Sequence, residues 1–164
     1  MTETILKMQK KVKRYLDKDR YDHTIGVIHT AGCLAMRYGA NLEQALTAGL
    51  LHDCAKCVPA DEKIKLCEKN HIEISDAEYK NPGLLHAKLG AFFARKKYGI
   101  ENEEILRSIE SHTTGRPNMS LLDKIIYIAD YIEPGRDVAP NLPEVRALAF
   151  VDIDACLYRI LEDT

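Results

Sequence analysis

A chain of 164 residues fits one domain with a single core, and 46% hydrophobic against 29% charged residues excludes a disordered polymer. Lys and Arg total 23 against 25 Asp and Glu, and the formal net charge of -2 argues against a broad nucleic-acid-binding face. No apolar leader follows Met1, no uncharged run reaches the length of a membrane span, and Cys33, Cys54, Cys57, Cys67 and Cys156 cannot all pair within one chain. The expected setting is therefore reduced and cytoplasmic, with neither a membrane nor a nucleic acid as partner.

Ile5, Met8, Val12 and Leu16 recur at spacings of three and four, the mark of an amphipathic helix. A second helix is expected from about Asp22, as N-cap, to Tyr38, with Gly39 as its stop. Asn41 caps a third, whose apolar stripe is Leu42, Ala45, Leu46, Gly49 and Leu50 and whose end carries His52-Asp53 ahead of Pro59. Glu62 to Asn70 reads as a short helix. Asn81-Pro82-Gly83 is a turn before a helix from about Leu84 to Tyr98, stopped by Gly99. Another helix covers about Asn102 to Ser111, followed by a polar loop through Gly115 and Pro117. Ser120 caps the strongly apolar helix Leu121 to Ile132, which stops at Pro134-Gly135. Two more helices are expected near Pro143 to Phe150 and Asp152 to Leu161, shortly before Glu162-Asp163-Thr164. No strand alternation, repeat or linker interrupts this pattern, so the expected fold is an all-α bundle forming one domain over residues 1–164.

The chemistry-bearing residues are His23, His52-Asp53, His86, His112 and Asp130, each on a helix or helix end that the apolar pattern defines independently. His23 lines up with Val27, Thr30 and Leu34, and Asp130 shares a face with Ile126 and Asp123. A carboxylate turned into a core is costly without a cation, and imidazole with carboxylate suits iron, zinc, manganese or cobalt. Six such ligands on five elements are what a bundle uses to build a metal site at its centre. Two carboxylates against two metal ions leave the cluster positive, which attracts phosphate oxygens and lowers the pKa of a bound water. Hydrolysis of a phosphate ester or anhydride is the favoured chemistry. His29 and His71 fall outside the set, one on another helix face and one in a polar stretch.

The ordered set resembles the HD superfamily of metal-dependent phosphohydrolases. The words around it, Leu51-His52-Asp53-Cys54-Ala55-Lys56, His112-Thr113-Thr114-Gly115 and the stretch from Leu122-Asp123 through Ala129-Asp130-Tyr131 to Gly135-Arg136, are similar to its bacterial YqeK-type branch. That resemblance, from about Arg20 onward, implies symmetrical hydrolysis of bis(5'-nucleosyl) tetraphosphates, with diadenosine tetraphosphate giving two ADP. It also implies two metal ions, iron by preference. His23, His52, Asp53 and Asp130 would hold one, and His86 and His112 the other, with Asp53 bridging. Asp53 and Lys56 are then the expected catalytic residues. The substrate is expected against Arg20, Asp53, Lys56, His86, His112, Thr113, Asp130 and Arg136. Members of the branch often continue with further helix at the C-terminal end, which would belong to the nucleoside pocket.

Lys56 is three residues past Asp53, within reach of a phosphate, and Arg136 follows the turn Glu133-Pro134-Gly135, where its guanidinium could fork onto one. Asp123 is either an acceptor orienting a ligand histidine or a helix-start carboxylate after Ser120. Cys54-x-x-Cys57, without a second pair, reads as structural or incidental, and Tyr127 and Tyr131 as packing residues first, nucleoside neighbours second. Rival readings are another nucleotide phosphatase or phosphodiesterase of the same superfamily, and a nucleotide-binding module without turnover. A structural zinc domain fits poorly, since the donors exceed one tetrahedral site. A homodimer is compatible with the sequence.

Overall fold

Short polar side chains fix most of the helix starts. Thr2, Asp17, Asn41, Ser75, Asn102 and Ser120 each accept a backbone N–H from the first turn they precede. The computed structural model describes residues 1–163, Thr164 lying outside them. In chain order the helices are α1 (Glu3–Val12), α2 (Lys18–Tyr38), α3 (Leu42–Leu51), α4 (Ala60–Lys69), α5 (Asp76–Lys80), a single 3-10 turn (Pro82–Leu85), α6 (His86–Tyr98), α7 (Glu103–Ser111), α8 (Leu121–Ile132), α9 (Leu142–Leu148) and α10 (Ile153–Asp163). No strand occurs among the described residues, so the all-α expectation holds.

The core lies around α8, which packs against α2, α3, α7 and α10. Ile125, Ile126 and Ile128 on this helix are fully buried. A helix apolar on so much of its circumference belongs in the interior. α2 lies along α3 on one side, α6 against α7 on the other, and α1 closes the α3 end with Ile5, Met8 and Val12. Gly39 and Gly99 stop α2 and α6 in the left-handed conformation, as their placement predicts.

Three expectations change. α2 begins five residues earlier than expected, because Asp17, not Asp22, accepts the Arg20 N–H as N-cap. Arg20 and His23 therefore share the first turns of one helix. α5 was not anticipated, although Ser75-x-x-Glu78 forms a full capping box that announces it. The expected single helix from Leu84 is a 3-10 turn followed by α6, with His86 as the first α-helical residue.

Candidate metal centre

Three helix ends and two helix interiors converge on one point. His52 caps the C-terminus of α3, His112 that of α7, and His86 opens α6, while His23 and Asp130 project from within α2 and α8. The helix ends orient their own imidazoles. Nδ1–H of His52, His86 and His112 donates to the carbonyl three residues back, Gly49 at 2.8 Å, Gly83 at 2.6 Å and Ile109 at 2.6 Å. A carbonyl only accepts, so the proton sits on Nδ1 and each Nε2 is left with a bare lone pair. His23 is turned by a different partner: its Nδ1 lies 3.0 Å from Glu133 Oε1.

All four Nε2 atoms surround Asp53, which is 2% exposed. Asp53 Oδ1 lies 3.2 Å from His86 Nε2 and 3.5 Å from His112 Nε2. Its Oδ2 lies 3.4 Å from His52 Nε2 and 3.9 Å from His23 Nε2. Asp130 Oδ1 faces the second pair, 3.0 Å from His23 and 3.9 Å from His52. Asp130 is less buried than the pattern suggests, with 23% of its side chain exposed toward a cleft.

Both carboxylates stay ionised. Burial pushes the Asp53 carboxyl upward, but the imidazoles packed around it, His52 foremost, hold it well below the usual range. Burial likewise opposes Asp130, and the neighbouring His23 and His52 rings outweigh that. Burial draws His86 below the ordinary imidazole value, whereas at His52 the Asp53 carboxylate more than offsets the same effect.

The result is a cage whose inner surface accepts and does not donate. His23 Nε2, His52 Nε2 and Asp53 Oδ1 are buried without a hydrogen-bond partner, and His86 Nε2 faces His112 Nε2 at 3.1 Å. Such orphaned acceptors are costly unless a cation meets them. Two donor groups, His23/His52/Asp130 and His52/Asp53/His112, each have ligand atoms within 4.8 Å of one another. Nitrogen and oxygen donors of this kind fit a divalent transition metal.

The other anticipated residues stand at the rim. Lys56, in the turn after α3, places Nζ 3.4 Å from His86 Nε2. Thr113 Oγ1 lies 3.2 Å from His86 Nε2 and 3.1 Å from His112 Nε2. Arg20 and Arg136, expected to face phosphate, rest on the carboxylates: Arg20 Nη1 donates to Asp53 Oδ2 at 2.8 Å, and Arg136 Nη2 to Asp130 Oδ1 at 3.1 Å. A cleft of about 430 Å³ opens between these arginines beside His23. Another of about 260 Å³ opens beyond Arg136, walled by His112, Thr113, Tyr127 and Tyr131.

Of the two readings of Asp123, the structure selects the helix start. Asp123 completes a capping box with Ser120 and accepts from Arg116 at 2.5 Å, touching no ligand histidine. The carboxylate that does stand against a ligand histidine is Glu133, at His23 Nδ1, in the Glu133-Pro134-Gly135 turn. Cys54 is buried against the Gly90 carbonyl and Cys57 is exposed beside Asp17, so they are unpaired. His29 and His71 are exposed, away from the cage.

Comparison with known proteins agrees with this geometry. Residues 20–135 match the model of the HD domain. The chain is 41% identical over 153 residues to a Bacillus subtilis protein named bis(5'-nucleosyl)-tetraphosphatase, symmetrical, spanning 93% of this chain and 81% of that protein. A Halalkalibacterium halodurans protein of the same name is 44% identical over the same shares. A crystal structure from Clostridium acetobutylicum, described as a predicted HD superfamily hydrolase involved in NAD metabolism, superposes with a TM-score of 0.87 at 45% identity, covering 92% of this chain and 79% of that one. With its His-Asp pair at the centre of the cage and relatives matched along nearly its whole length, the chain belongs to the HD-domain family.

Proposed function

We propose that this protein hydrolyses bis(5'-nucleosyl) tetraphosphates symmetrically, converting diadenosine tetraphosphate and water into two ADP, with two metal ions, iron by preference, in the cage. The observation that carries the reading is the division of Asp53: one oxygen faces His86 and His112, the other His23 and His52. The names and identities of the Bacillus subtilis and Halalkalibacterium halodurans relatives support the substrate.

Bound cations supply Lewis-acid charge for phosphate oxygens and a water of lowered pKa. The chain supplies the rest. His23, His52, Asp53 and Asp130 would hold one cation, and His86, His112 and Asp53 the other. Arg20 and Arg136, which rest on Asp53 and Asp130, would be free to fork onto phosphate oxygens once those carboxylates serve a cation. Lys56 and Thr113 stand where they can donate to the attacked phosphate and stabilise charge on the departing ADP. The clefts on either side of Arg136 can take the two nucleotide halves, with the phosphate chain crossing the cage. Five free cysteines, and the absence among the described residues of any helix long and apolar enough to cross a membrane, support a cytoplasmic setting.

The test is product analysis across a panel of diadenosine tetraphosphate, a nucleoside monophosphate, a cyclic dinucleotide and NAD, with separation by anion exchange. ADP as sole product from the tetraphosphate, at the highest kcat/KM of the panel, is expected. AMP with ATP would move the attacked phosphorus, and faster turnover of NAD or a monophosphate would overturn the substrate.

A further inference from the structure

Three of the four caged imidazoles lean on neutral backbone carbonyls, and His23 alone leans on a carboxylate. That carboxylate, Glu133, is 3% exposed. It directly follows α8 and precedes Pro134 in extended backbone (φ -50, ψ 151), the conformation the residue before proline favours. Both its oxygens are engaged: Oε1 with His23 Nδ1 at 3.0 Å, and Oε2 with the Gly135 N–H at 2.6 Å. Its main chain is fixed as well. The Glu133 N–H donates to the Ala129 carbonyl at 3.1 Å, and Arg146 Nη2 donates to the Glu133 carbonyl at 2.8 Å.

The α2 helix is cut to receive it. Gly26 lies one turn past His23, and a Cβ there would stand 2.2 Å from Glu133 Oε2 and 3.1 Å from its Cδ. The three nearest atoms all belong to the Glu133 side chain, so a methyl at this position would displace the carboxylate first.

We infer that Glu133 is a positioning residue that fixes the His23 ring and strengthens its Nε2 as a donor, making the His23/His52/Asp130 cation position tighter than the one served by His86 and His112. The inference rests on the two-metal reading above. The physics is general: an anionic acceptor on the far nitrogen of a ligating imidazole holds tautomer and orientation and raises basicity, and losing it typically costs about 10–100-fold in metal affinity. A carbonyl does the first of these without contributing a full charge.

The measurement is calorimetric titration of the metal-free full chain with manganese(II), for wild type, Glu133→Gln, Glu133→Ala and Gly26→Ala, alongside the thermal midpoint of each metal-free protein. Glu133→Gln, which keeps an acceptor and removes the charge, is expected to weaken one binding step by about 10–100-fold and leave the other unchanged. Gly26→Ala is expected to weaken the same step with Glu133 still present. Unchanged affinities in Glu133→Gln, or equal losses at both steps accompanied by a falling metal-free midpoint in all variants, overturn the inference. Wild type binding one ion would sink the two-metal reading while the Glu133 comparison still reads on that step; wild type binding none overturns both.

Discussion

Lys56 separates holding metal from handling phosphate. Its ammonium stands 3.4 Å from His86 Nε2, at the mouth of the cage, and it is half-buried. The turn that carries it is fixed by its own N–H on the Asp53 carbonyl at 2.9 Å and by Lys63 Nζ on the Lys56 carbonyl at 3.0 Å. A phosphate oxygen entering beside His86 would meet the charge at roughly 4 Å, where two unit charges interact by about 4 kcal/mol at an effective dielectric near 20. Desolvation of both groups takes back part of that, and hydrogen bonds to charged groups come out near 1.5–3 kcal/mol. At about 1.4 kcal/mol per decade, Lys56→Ala should lower kcat/KM roughly 10- to 150-fold. Metal content, read by elemental analysis of the same preparations, should stay at the wild-type level, because no donor to the cations has been removed. A fall in metal occupancy, or kcat/KM within a factor of two of wild type, would show that Lys56 serves the cage and not the substrate.

Asp53→Ala should lose metal and turnover together, since both oxygens of one buried carboxylate face all four imidazoles; activity with full metal content would refute its place. Arg146 donates to the carbonyls of Ile132, Glu133 and Arg136 at 2.9, 2.8 and 2.7 Å, tying down the turn after α8. Arg146→Ala should cost about 3 kcal/mol, lowering the thermal midpoint by roughly 6–12 °C, and a change under ~2 °C would contradict that role. Glu78 carries a pH prediction. Burial alone would raise its carboxyl, but Lys88 at 2.9 Å and the Ser75 N–H and hydroxyl at 2.8 Å each hold it below the ordinary 4.5. A depressed folded value contributes stability that is present above the unfolded value and lost as pH falls through the folded one. The stability gap between wild type and Glu78→Gln in urea should therefore be full at pH 7 and close progressively as pH falls below the ordinary 4.5; a gap that widens in acid would reverse the sign.

Much of this was legible in the sequence, and the exceptions have physical reasons. His23, Asp130 and the helix ends at His52, His86 and His112 could be placed because apolar spacing fixed the helices before any chemistry was considered. Convergence of those elements follows from the burial of α8 among them. What spacing could not supply was the pairing of charges across elements. Arg20 and Arg136 look like phosphate ligands in one dimension, and only the fold sets them on Asp53 and Asp130. Glu133 was hidden because Glu-Pro-Gly reads as a turn; its companion signal, Gly26 one turn past His23, means something only when α2 and α8 are side by side. Asp123 was decidable from sequence, since Ser120-x-x-Asp123 already carries the capping box that occupies it. α5 was readable the same way, from Ser75 and Glu78.

Symmetrical cleavage is tested most directly by the position of the oxygen that water delivers. Turnover of diadenosine tetraphosphate in ¹⁸O-enriched water, with the metal-loaded protein and mass spectrometry of the products, locates the attacked phosphorus in one step. Symmetrical hydrolysis yields ADP alone, half of it carrying one label on its terminal phosphate. Label in AMP or ATP, or ADP with no label at all, would contradict it.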